Sequence, residues 1–480
     1  MSVIILKKGG ETVVNDVKEG LMKKSHYLSK EEMERLKVAL DFAEEAHDGQ
    51  KRATGEPYIT HPIAVCEILL DYNADIITLI SALLHDVVED TPVPISEIDR
   101  KFGKQVSNIV DGLTKVEKGT FKKLEYQAIN TEKLLSASIE DIRVAAVKIA
   151  DRLHNMRTLA VKRVEKKVPY ANETLIFFAP LAERLGLYKL QEELEEIGFG
   201  YLDPPMCQST QTLINNYANI FGKIYNNCSR ELKKEGGALI VDLEWTKVPL
   251  YKSYSLLQEE HDLSNLFFIK VVTSSTIDCY AALGIIHKLY KPLVHQMIDH
   301  ISIEVSPFLR QINTKVHINN VEVNFIIQSE KDRNISDAGV FALLENNLTK
   351  KEIRGLSKNL LGESIDTVKA ITTTPIEFEG LISFELFQKE ITVYTPKMDV
   401  ISLPEGSTII DFAFSLNPRL AKRMSSARVN GTWMPINTTV NDMDIVEILT
   451  TNEEMVSSEW LNHAQTSKAF KEISELLKIQ

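Results

Sequence analysis

The sequence lacks three features that would assign it to large classes of protein. Its longest apolar runs, IITLISALL and LIFFAPLA, are far shorter than the roughly 20 residues that cross a bilayer. Its start has no apolar secretion signal, so we expect a cytoplasmic protein with no membrane contact. Its four cysteines form no CxxC pair, which argues against a zinc knuckle or redox motif and predicts reduced, mostly packed thiols. These are Cys66, Cys207, Cys228 and Cys279.

Positive charge is also scarce. The 55 Lys and Arg residues face 67 Asp and Glu residues, which gives a formal net charge of −12. Broad nonspecific nucleic-acid binding needs a basic surface that displaces counterions, so we do not expect it, although a local basic pocket remains compatible with this charge. The chain has 480 residues, of which 44% are hydrophobic and 25% charged, an ordinary globular composition. At roughly 150 residues per domain, its length predicts about three domains.

The texture of the sequence changes along the chain. Apolar residues recur every three or four positions up to about residue 200, which predicts helices. Alternating β-branched runs such as NLFFIKVVTSS follow, separated by the helical CYAALGIIHKLYKPL, and indicate a mixed α/β domain. Near the end, Asn430-Gly431 marks a tight turn within a small α+β domain. We therefore predict an all-α domain at 26–200, an α/β domain at 201–345, a linker or helical connector at 346–387, an α+β domain at 388–452 and a C-terminal helix at 453–480.

The helical part places polar side chains among apolar ones in the segments YITHPIAV, LLHDVVEDT and KIADRLHNMRT. In a continuous helix His85 and Glu89 share a face, as do Asp86 and Asp90. Unpaired buried carboxylates cost several kcal/mol each, so these segments need a cation, a hydrogen-bond network or solvent. A metal ion satisfies all of them at once, and two histidines with two aspartates suit Mn, Fe or Zn. The predicted ligands are His61, His85, Asp86 and Asp151.

Glu89 and Asp90 then remain one helical turn beyond the predicted metal pair. Carboxylates in that place can orient the attacking water or accept its proton, which is hydrolase chemistry. His154 is left out of the ligand set, because a lone histidine on a helix is more often a hydrogen-bonded structural residue.

These segments carry a family resemblance. AHDGQKRATGEPYITHP, LLHDVVEDT, DGLTKV and KIADRLHNMRTL, in this order and spacing, resemble the hydrolase half of the RelA/SpoT-homologue alarmone enzymes, a branch of the HD superfamily. FAPLAERLGLYKLQEELEEIGFGYLDP resembles the stretch that joins this half to the synthetase, and residues 388–452 resemble the family's TGS domain. The resemblance implies an all-α HD-type hydrolase domain, an α/β nucleotidyltransferase-like domain and a small α+β TGS domain of the β-grasp type.

The resemblance also implies an activity. Such enzymes remove pyrophosphate from the 3′ position of guanosine tetra- and pentaphosphate, giving GDP or GTP, with Mn²⁺ as the usual metal. The four predicted ligands match the family's ligands, and Glu89 and Asp90 match its catalytic acidic pair. Among the residues that contact the nucleotide, Arg52 would pack on the guanine, and Thr54, Asn155 and Thr158 would line the site. Lys115 of DGLTKV either faces phosphate or is solvated. The sequence departs from the family at Ala53, where many relatives have a lysine that contacts the substrate.

The α/β domain lacks the residues that synthesis requires. A synthetase must hold ATP, a guanine nucleotide and Mg²⁺, which takes several Arg or Lys residues and metal-binding carboxylates. Where relatives have Asp-Leu followed by Arg, this chain has Asn265 and Lys270. Leu309 and Asn313 stand at the family's Tyr and His positions, and Ile326 replaces an arginine, whereas Glu322 is retained. We therefore predict a degenerate synthetase domain, or pseudosynthetase, that is catalytically silent.

Partners and rival functions follow from the same residues. Asn417 stands where TGS domains of relatives usually have a histidine that reads the tRNA end, and the chain ends at Gln480 without the further regulatory modules of long relatives. We do not expect ribosome or tRNA binding, and a protein regulator that acts through the TGS domain stays open. One rival function is an HD-type pyrophosphohydrolase of another nucleotide, which Ala53 would permit. The other is a non-catalytic alarmone sensor, which would leave Glu89 and Asp90 unexplained.

Overall fold

The structure is a computed structural model that describes residues 10–477, except 260–261, 304–305, 319–320, 345–347, 363 and 389. The described residues form two compact units, one drawn from Met1–Leu84 with Ala146–Asn347 and the other from His85–Ala145 with Leu348–Gln480. Within this described part of the chain, no helix combines the length and the apolar content that crossing a membrane takes. All four cysteines are free thiols and three are buried, as predicted.

The N-terminal region is helical, as its periodicity predicts. Its helices are α1 (Gly10–Lys24), α2 (Lys30–Ala46), α3 (Thr60–Leu70), α4 (Ile76–Leu84), α5 (Val87–Asp90), α6 (Ile95–Phe102), α7 (Lys104–Leu113), α8 (Lys123–Glu140), α9 (Arg143–Arg157), α10 (Val164–Glu173), α11 (Ala179–Arg184) and α12 (Tyr188–Leu202). A capping box of Ser29 and Glu32 starts α2. The residues of α4 are almost all buried, so this helix lies in the core of its unit.

The predicted α/β domain is present and is built on one sheet. Its helices are α13 (Pro204–Gly236), α14 (Leu250–Glu259), α15 (Thr276–Leu289) and α16 (Glu330–Ala338). Its strands are β1 (Ile240–Lys247), β2 (Phe267–Thr273), β3 (Lys291–Pro292), β4 (Ile298–Asp299), β5 (Ile312–Ile318) and β6 (Val321–Ser329). The strand order is β1-β2-β6-β5-β3, and β4 also pairs with β5. Among the described strands of this sheet, β2 and β6 alone run parallel, and their apolar residues, including Phe267 and Phe325, contribute to a buried core.

The connector is helical, which is one of the two forms predicted for it. Residues 346–387 show weak periodicity, yet the structure has α17 (Lys350–Leu361), α18 (Ser364–Ile371) and α19 (Pro375–Phe387) there. The buried residues Phe378, Ile382 and Leu386 of α19 recur every four positions, but other apolar residues between them obscure the pattern. Helices α17 and α19 pack against α8 in the same unit. The predicted domain boundary at 345–346 lies outside the described residues.

The C-terminal domain has the predicted order of strand, turn, strand, helix and short strands. Its elements are β7 (Glu390–Tyr394), β8 (Val400–Pro404), α20 (Ile409–Leu416), α21 (Pro418–Ala421), β9 (Met424–Val429), β10 (Thr432–Met434) and β11 (Val446–Thr450), followed by α22 (Ser467–Leu477). Asn430 and Gly431 both adopt positive φ, at 52° and 81°, and join β9 to β10 as predicted.

The predicted C-terminal helix over 453–480 is wrong in its extent, because α22 begins only at Ser467. The chain is instead held just before α22 by the buried carboxylate of Asp411 at the start of α20. Its Oδ1 accepts hydrogen bonds from the backbone N–H groups of Gln465 and Thr466 at 2.9 and 2.8 Å. Those N–H groups serve a side chain rather than a helix, and α22 shares the buried core of the C-terminal domain through Ala469 and Ile473.

Candidate functional site

A tight loop before α3 presents Arg52. The N–H of Arg52 donates to the carbonyl of Glu56, and the N–H of Gly55 donates to the carbonyl of Arg52, both at 2.9 Å. Gly55 has a φ of 92°, a conformation that a side chain would strain. The Arg52 guanidinium lies 5.6 Å from the centroid of the Tyr58 ring and donates to Asn155 Oδ1 at 3.1 Å. The exposed Thr54 hydroxyl donates to Glu56 at 3.0 Å.

His61 lies buried near the start of α3 and contacts two residues of α9. Its Nε2 is 3.2 Å from Asp151 Oδ1, and its Nδ1 is 2.7 Å from Nδ1 of His154. Burial, together with the neighbouring His61 and Arg52, lowers the pKa of His154 to about 3, so this ring is neutral at physiological pH. When His61 Nδ1 carries the proton, it donates to His154, and the Nε2 lone pair of His61 then points toward the side of Asp151.

Asp151 is held by several groups on its own helix. Lys148 Nζ lies 2.8 Å from Oδ2, and Asn155 Nδ2 donates to Oδ1 at 2.5 Å. Asn155 therefore bridges Arg52 and Asp151. The hydroxyl of Thr158, by contrast, donates to the backbone carbonyl of His154 at 3.1 Å.

The LLHDVVEDT segment is not one continuous helix, so that expectation is wrong. Helix α4 ends at Leu84, His85 and Asp86 form a turn, and α5 begins at Val87. Consecutive side chains of a helix diverge by about 100°, because 3.6 residues complete a turn. The turn instead brings His85 Nε2 to 3.2 Å from Asp86 Oδ2. The N–H of Asp90 still donates to the carbonyl of Asp86, so the expected four-residue spacing survives in the backbone.

The histidines and aspartates offer a set of metal donors. Each of the two units holds one pair of these side chains: His61 with Asp151 in the first, and His85 with Asp86 in the second, at 3.2 Å in both pairs. All four predicted ligands therefore belong to a histidine–aspartate pair.

Glu89 and Asp90 lie on α5, beyond His85 and Asp86, and both residues are exposed. Lys115 contacts Glu89 in two places: its ammonium is 2.6 Å from Oε1, and its backbone N–H donates to Oε2 at 3.3 Å. The Lys115 side chain is 47% exposed, so it is solvated as well as paired with Glu89, and its contact with phosphate stays a prediction.

Sequence reasoning missed one residue at Asp151, because it does not single out Lys148, which lies three positions before Asp151 on α9. His154, which we predict to be a hydrogen-bonded helix residue, does hydrogen-bond to His61. Residues three and four apart share a helix face, so the spacing of Lys148, Asp151, His154 and Asn155 was the available signal.

A second polar cluster lies on the sheet of the α/β domain. The ammonium of Lys315 on β5 is 2.8 Å from Asn265 Oδ1 and 2.5 Å from Glu322 Oε2 on β6. The Lys315 side chain is only 12% exposed. Across the same pair of strands Asn313 faces Ile326, so two of the altered synthetase positions are direct neighbours.

Comparison with known proteins identifies two of the predicted domains. The model of the HD domain matches residues 39–188 and that of the TGS domain matches residues 391–450. The chain is 32% identical to guanosine-3′,5′-bis(diphosphate) 3′-pyrophosphohydrolase of Aquifex aeolicus, over 99% of this chain and 68% of the relative. It is 33% identical to the bifunctional (p)ppGpp synthase/hydrolase SpoT of Escherichia coli, over 94% of this chain and 66% of the relative. It is also 34% identical to the GTP pyrophosphokinase rsh of Brucella melitensis, over 90% of this chain and 60% of the relative. The chain thus spans slightly less than two thirds of SpoT.

Proposed function

Since the chain belongs to the RelA/SpoT-homologue family of (p)ppGpp synthetases and hydrolases, we propose that it hydrolyses guanosine 3′,5′-bis(diphosphate). The pentaphosphate is the second proposed substrate, and the products are GDP or GTP plus pyrophosphate. The bond between the ribose 3′ oxygen and phosphorus breaks, water supplies a hydroxyl to the phosphorus, and the 3′ oxygen takes up a proton. The observation that carries the proposal is the presence of two histidine–aspartate pairs, His61 with Asp151 and His85 with Asp86, within the stretch that matches the HD domain.

The donor set fits a divalent transition metal, and we propose Mn²⁺. His61, His85, Asp86 and Asp151 offer two imidazole nitrogens and carboxylate oxygens, a mixture suited to Mn, Fe or Zn. Two of these side chains are held in place by further contacts. His61 contacts His154 through Nδ1, and Asp151 contacts Lys148 and Asn155 through its two carboxylate oxygens. When bound, such a cation supplies Lewis acidity, which neutralises phosphate charge and favours ionisation of water.

Glu89 and Asp90 are the proposed catalytic carboxylates. A carboxylate within reach of the attacking water accepts its proton in the transition state. Lys115 holds both oxygens of Glu89, which restricts the orientation of the acceptor. We propose that Lys115 serves the reaction through this ion pair, with the substrate phosphate as its second partner.

The nucleotide is proposed to bind beside Arg52. A planar guanidinium can stack on guanine and pair with phosphate oxygens, and here it is held in place by Asn155. Thr54 contributes a hydroxyl from the exposed Arg52 loop. Thr158 and Asn155 lie at the C-terminal end of α9, where Asn155 also contacts Asp151. The predicted role of Thr158 rests on its place in the family motif.

We further propose that the α/β domain makes no alarmone. Asn265 replaces the carboxylate that the family uses to bind Mg²⁺, and the retained Glu322 is already paired with the Lys315 ammonium. A lysine in this position supplies the positive charge that a divalent ion would otherwise bring. The loss of phosphate-binding arginine at Ile326 acts in the same direction.

One assay separates the proposal from its rivals. The purified chain with Mn²⁺ is incubated with guanosine tetraphosphate, guanosine pentaphosphate, GTP and ATP in parallel. The proposal expects GDP and pyrophosphate from the tetraphosphate. Preferred turnover of another nucleotide supports the rival pyrophosphohydrolase, and tight binding of the tetraphosphate without turnover supports the sensor. A cytoplasmic location and a protein regulator of the TGS domain belong to the same proposal and stay predictions.

A further inference from the structure

Lys115 lies in a short segment between α7 and α8, and the backbone on both sides of it is held by side chains of α8. Lys133 Nζ donates to the carbonyl of Thr114 at 2.7 Å. The N–H of Val116 donates to Asn130 Oδ1 at 3.0 Å, and the carbonyl of Val116 accepts from the Tyr126 hydroxyl at 3.1 Å. The residues before and after Lys115 are therefore both fixed.

The three α8 residues form one structural feature. Tyr126, Asn130 and Lys133 are spaced by four and three positions, so they lie on one face of the helix. Asn130 also donates through Nδ2 to the carbonyl of Tyr126 at 2.7 Å, which fixes the direction of its amide and leaves Oδ1 for Val116. We call Tyr126, Asn130 and Lys133 the α8 clamp.

The segment that the α8 clamp holds contacts Glu89, a proposed catalytic carboxylate. Lys115 contacts Glu89 through both its backbone N–H and its ammonium. The backbone contact requires that residue 115 keep one position, because a main-chain N–H cannot reach by changing rotamer as an ammonium can. Fixing Thr114 and Val116 is therefore what allows Lys115 to grip both oxygens of Glu89.

We propose that Tyr126, Asn130 and Lys133 are positioning residues for hydrolysis, acting through Lys115 to hold the carboxylate of Glu89 in the orientation that accepts the proton. The proposal rests on the proposed function of Glu89. A merely structural role is the alternative, in which the clamp completes the hydrogen bonds of a loop and its loss lowers stability without a specific effect on Glu89.

The first test removes one clamp contact and then restores it. Asn130→Ala loses the acceptor for the Val116 N–H, whereas Asn130→Asp retains an Oδ acceptor at the same distance from the backbone. We expect Asn130→Ala to lower kcat by about 10-fold with KM changed less than about 2-fold, because misplacing a catalytic group slows chemistry more than binding. Asn130→Asp should recover part of the loss, because it keeps the acceptor for Val116 but loses the donor to the Tyr126 carbonyl. Ser136→Ala on a neighbouring face of α8, where Ser136 accepts from Lys369, is the matched control and should keep parental kinetics.

A double-mutant cycle distinguishes positioning from structure. If the clamp acts through Glu89, then Asn130→Ala adds almost no further loss in a Glu89→Gln background, because the group it positions is no longer functional. An equal 10-fold loss in both backgrounds overturns the proposal, as does a parental kcat for Asn130→Ala.

Amide hydrogen exchange supplies a readout that does not depend on the substrate. Asn130→Ala should accelerate exchange of the Val116 and Lys115 amides, while amides within α4 keep their parental rates. Unchanged protection of residues 115 and 116 refutes the clamp even in an active enzyme. A parent protein that leaves guanosine tetraphosphate intact while these amides respond as expected refutes the proposed function and retains the clamp as a feature of the loop.

Discussion

Two polar clusters of this chain neutralise their carboxylates in different ways. In the helical region, Asp151 and Asp86 each lie 3.2 Å from a histidine nitrogen. In the α/β domain, Glu322 lies 2.5 Å from the ammonium of Lys315, which also binds the amide of Asn265. The first cluster pairs its acids with imidazoles, with Lys148 as a second partner of Asp151, and the second cluster pairs an acid with a lysine ammonium.

The difference bears on which cluster is chemically suited to a metal ion. A neutral imidazole offers a lone pair and is the commonest metal ligand among side chains, so histidine and aspartate can bind one cation together. A lysine ammonium has three donors and no lone pair, so it competes with a metal ion for the carboxylate. Asp151 combines both features, since Lys148 faces one of its oxygens and His61 faces the other.

The largest expected effect comes from removing a donor in the helical cluster. We expect Asp86→Ala to lower turnover of guanosine tetraphosphate by roughly 10³-fold or more, because metal catalysis supplies several kcal/mol of transition-state stabilisation. Metal content, measured by elemental analysis after gel filtration, should fall in parallel. The matched control is Glu322→Ala, which removes a carboxylate from the sheet cluster and should change neither the metal content nor hydrolysis. Comparable losses from both variants would remove the distinction between the clusters.

At the carboxylate beyond the donors we expect a loss of rate without a loss of metal. Glu89→Gln keeps the size of the side chain but cannot accept a proton, and loss of a general base typically costs about 10² to 10⁴-fold in rate. The variant should retain its Mn²⁺, so rate and metal content separate here, unlike in Asp86→Ala. Parental turnover by Glu89→Gln would assign this residue a structural role.

The sequence predicts which residues form the helical cluster better than it predicts the backbone that carries them. The positions of His61, His85, Asp86 and Asp151 within apolar segments carry the metal prediction, because burial of such residues demands a partner. The turn at His85 and Asp86 was missed because apolar periodicity continues on both sides of it. A single interrupted turn alters the side-chain directions without altering that pattern.

Contacts between distant segments were harder still to predict. The clamp residues Asn130 and Lys133 look like ordinary polar positions of an amphipathic helix, and their partners are backbone groups, which carry no sequence signal. Likewise, Asp411 reads as the third residue of a capping box on α20, yet it also binds the backbone more than 50 positions later. Local pattern predicts such a helix start, but only the folded chain shows which other segment uses the same carboxylate.

A moderate effect on stability is expected in the sheet cluster. Lys315→Met keeps the apolar stem but leaves Glu322 without its cation. Because the Glu322 side chain is about one third exposed (34%), water compensates in part, and we expect a loss of about 1 kcal/mol in the free energy of unfolding. Trp245 on β1 can report on this domain once Trp433 and Trp460 are replaced by Phe. The double variant Lys315→Met with Glu322→Gln should recover part of the loss, and hydrolysis should be unchanged. A destabilisation confined to the other unit would contradict this assignment.

In an assay for synthesis we expect no product at all. The chain should form no guanosine tetraphosphate from ATP and GDP at any Mg²⁺ concentration. The test uses the Asp86→Ala background, since an active hydrolase would degrade any product and mimic a silent synthetase. Accumulated guanosine tetraphosphate there would refute the pseudosynthetase prediction.

Restoring one carboxylate should not revive this activity. In Asn265→Asp the new carboxylate would lie beside Lys315, whose ammonium already contacts that position and Glu322. The three groups would then form an internal ion network, with two carboxylates neutralised in part by one lysine rather than by Mg²⁺. Adding Lys315→Met to Asn265→Asp removes that competitor and should raise Mg²⁺ binding in calorimetry, which Asn265→Asp alone should not. Synthesis should remain absent even then, because the arginine missing at Ile326 supplied charge for the transferred phosphates, and restored metal binding cannot replace that contact.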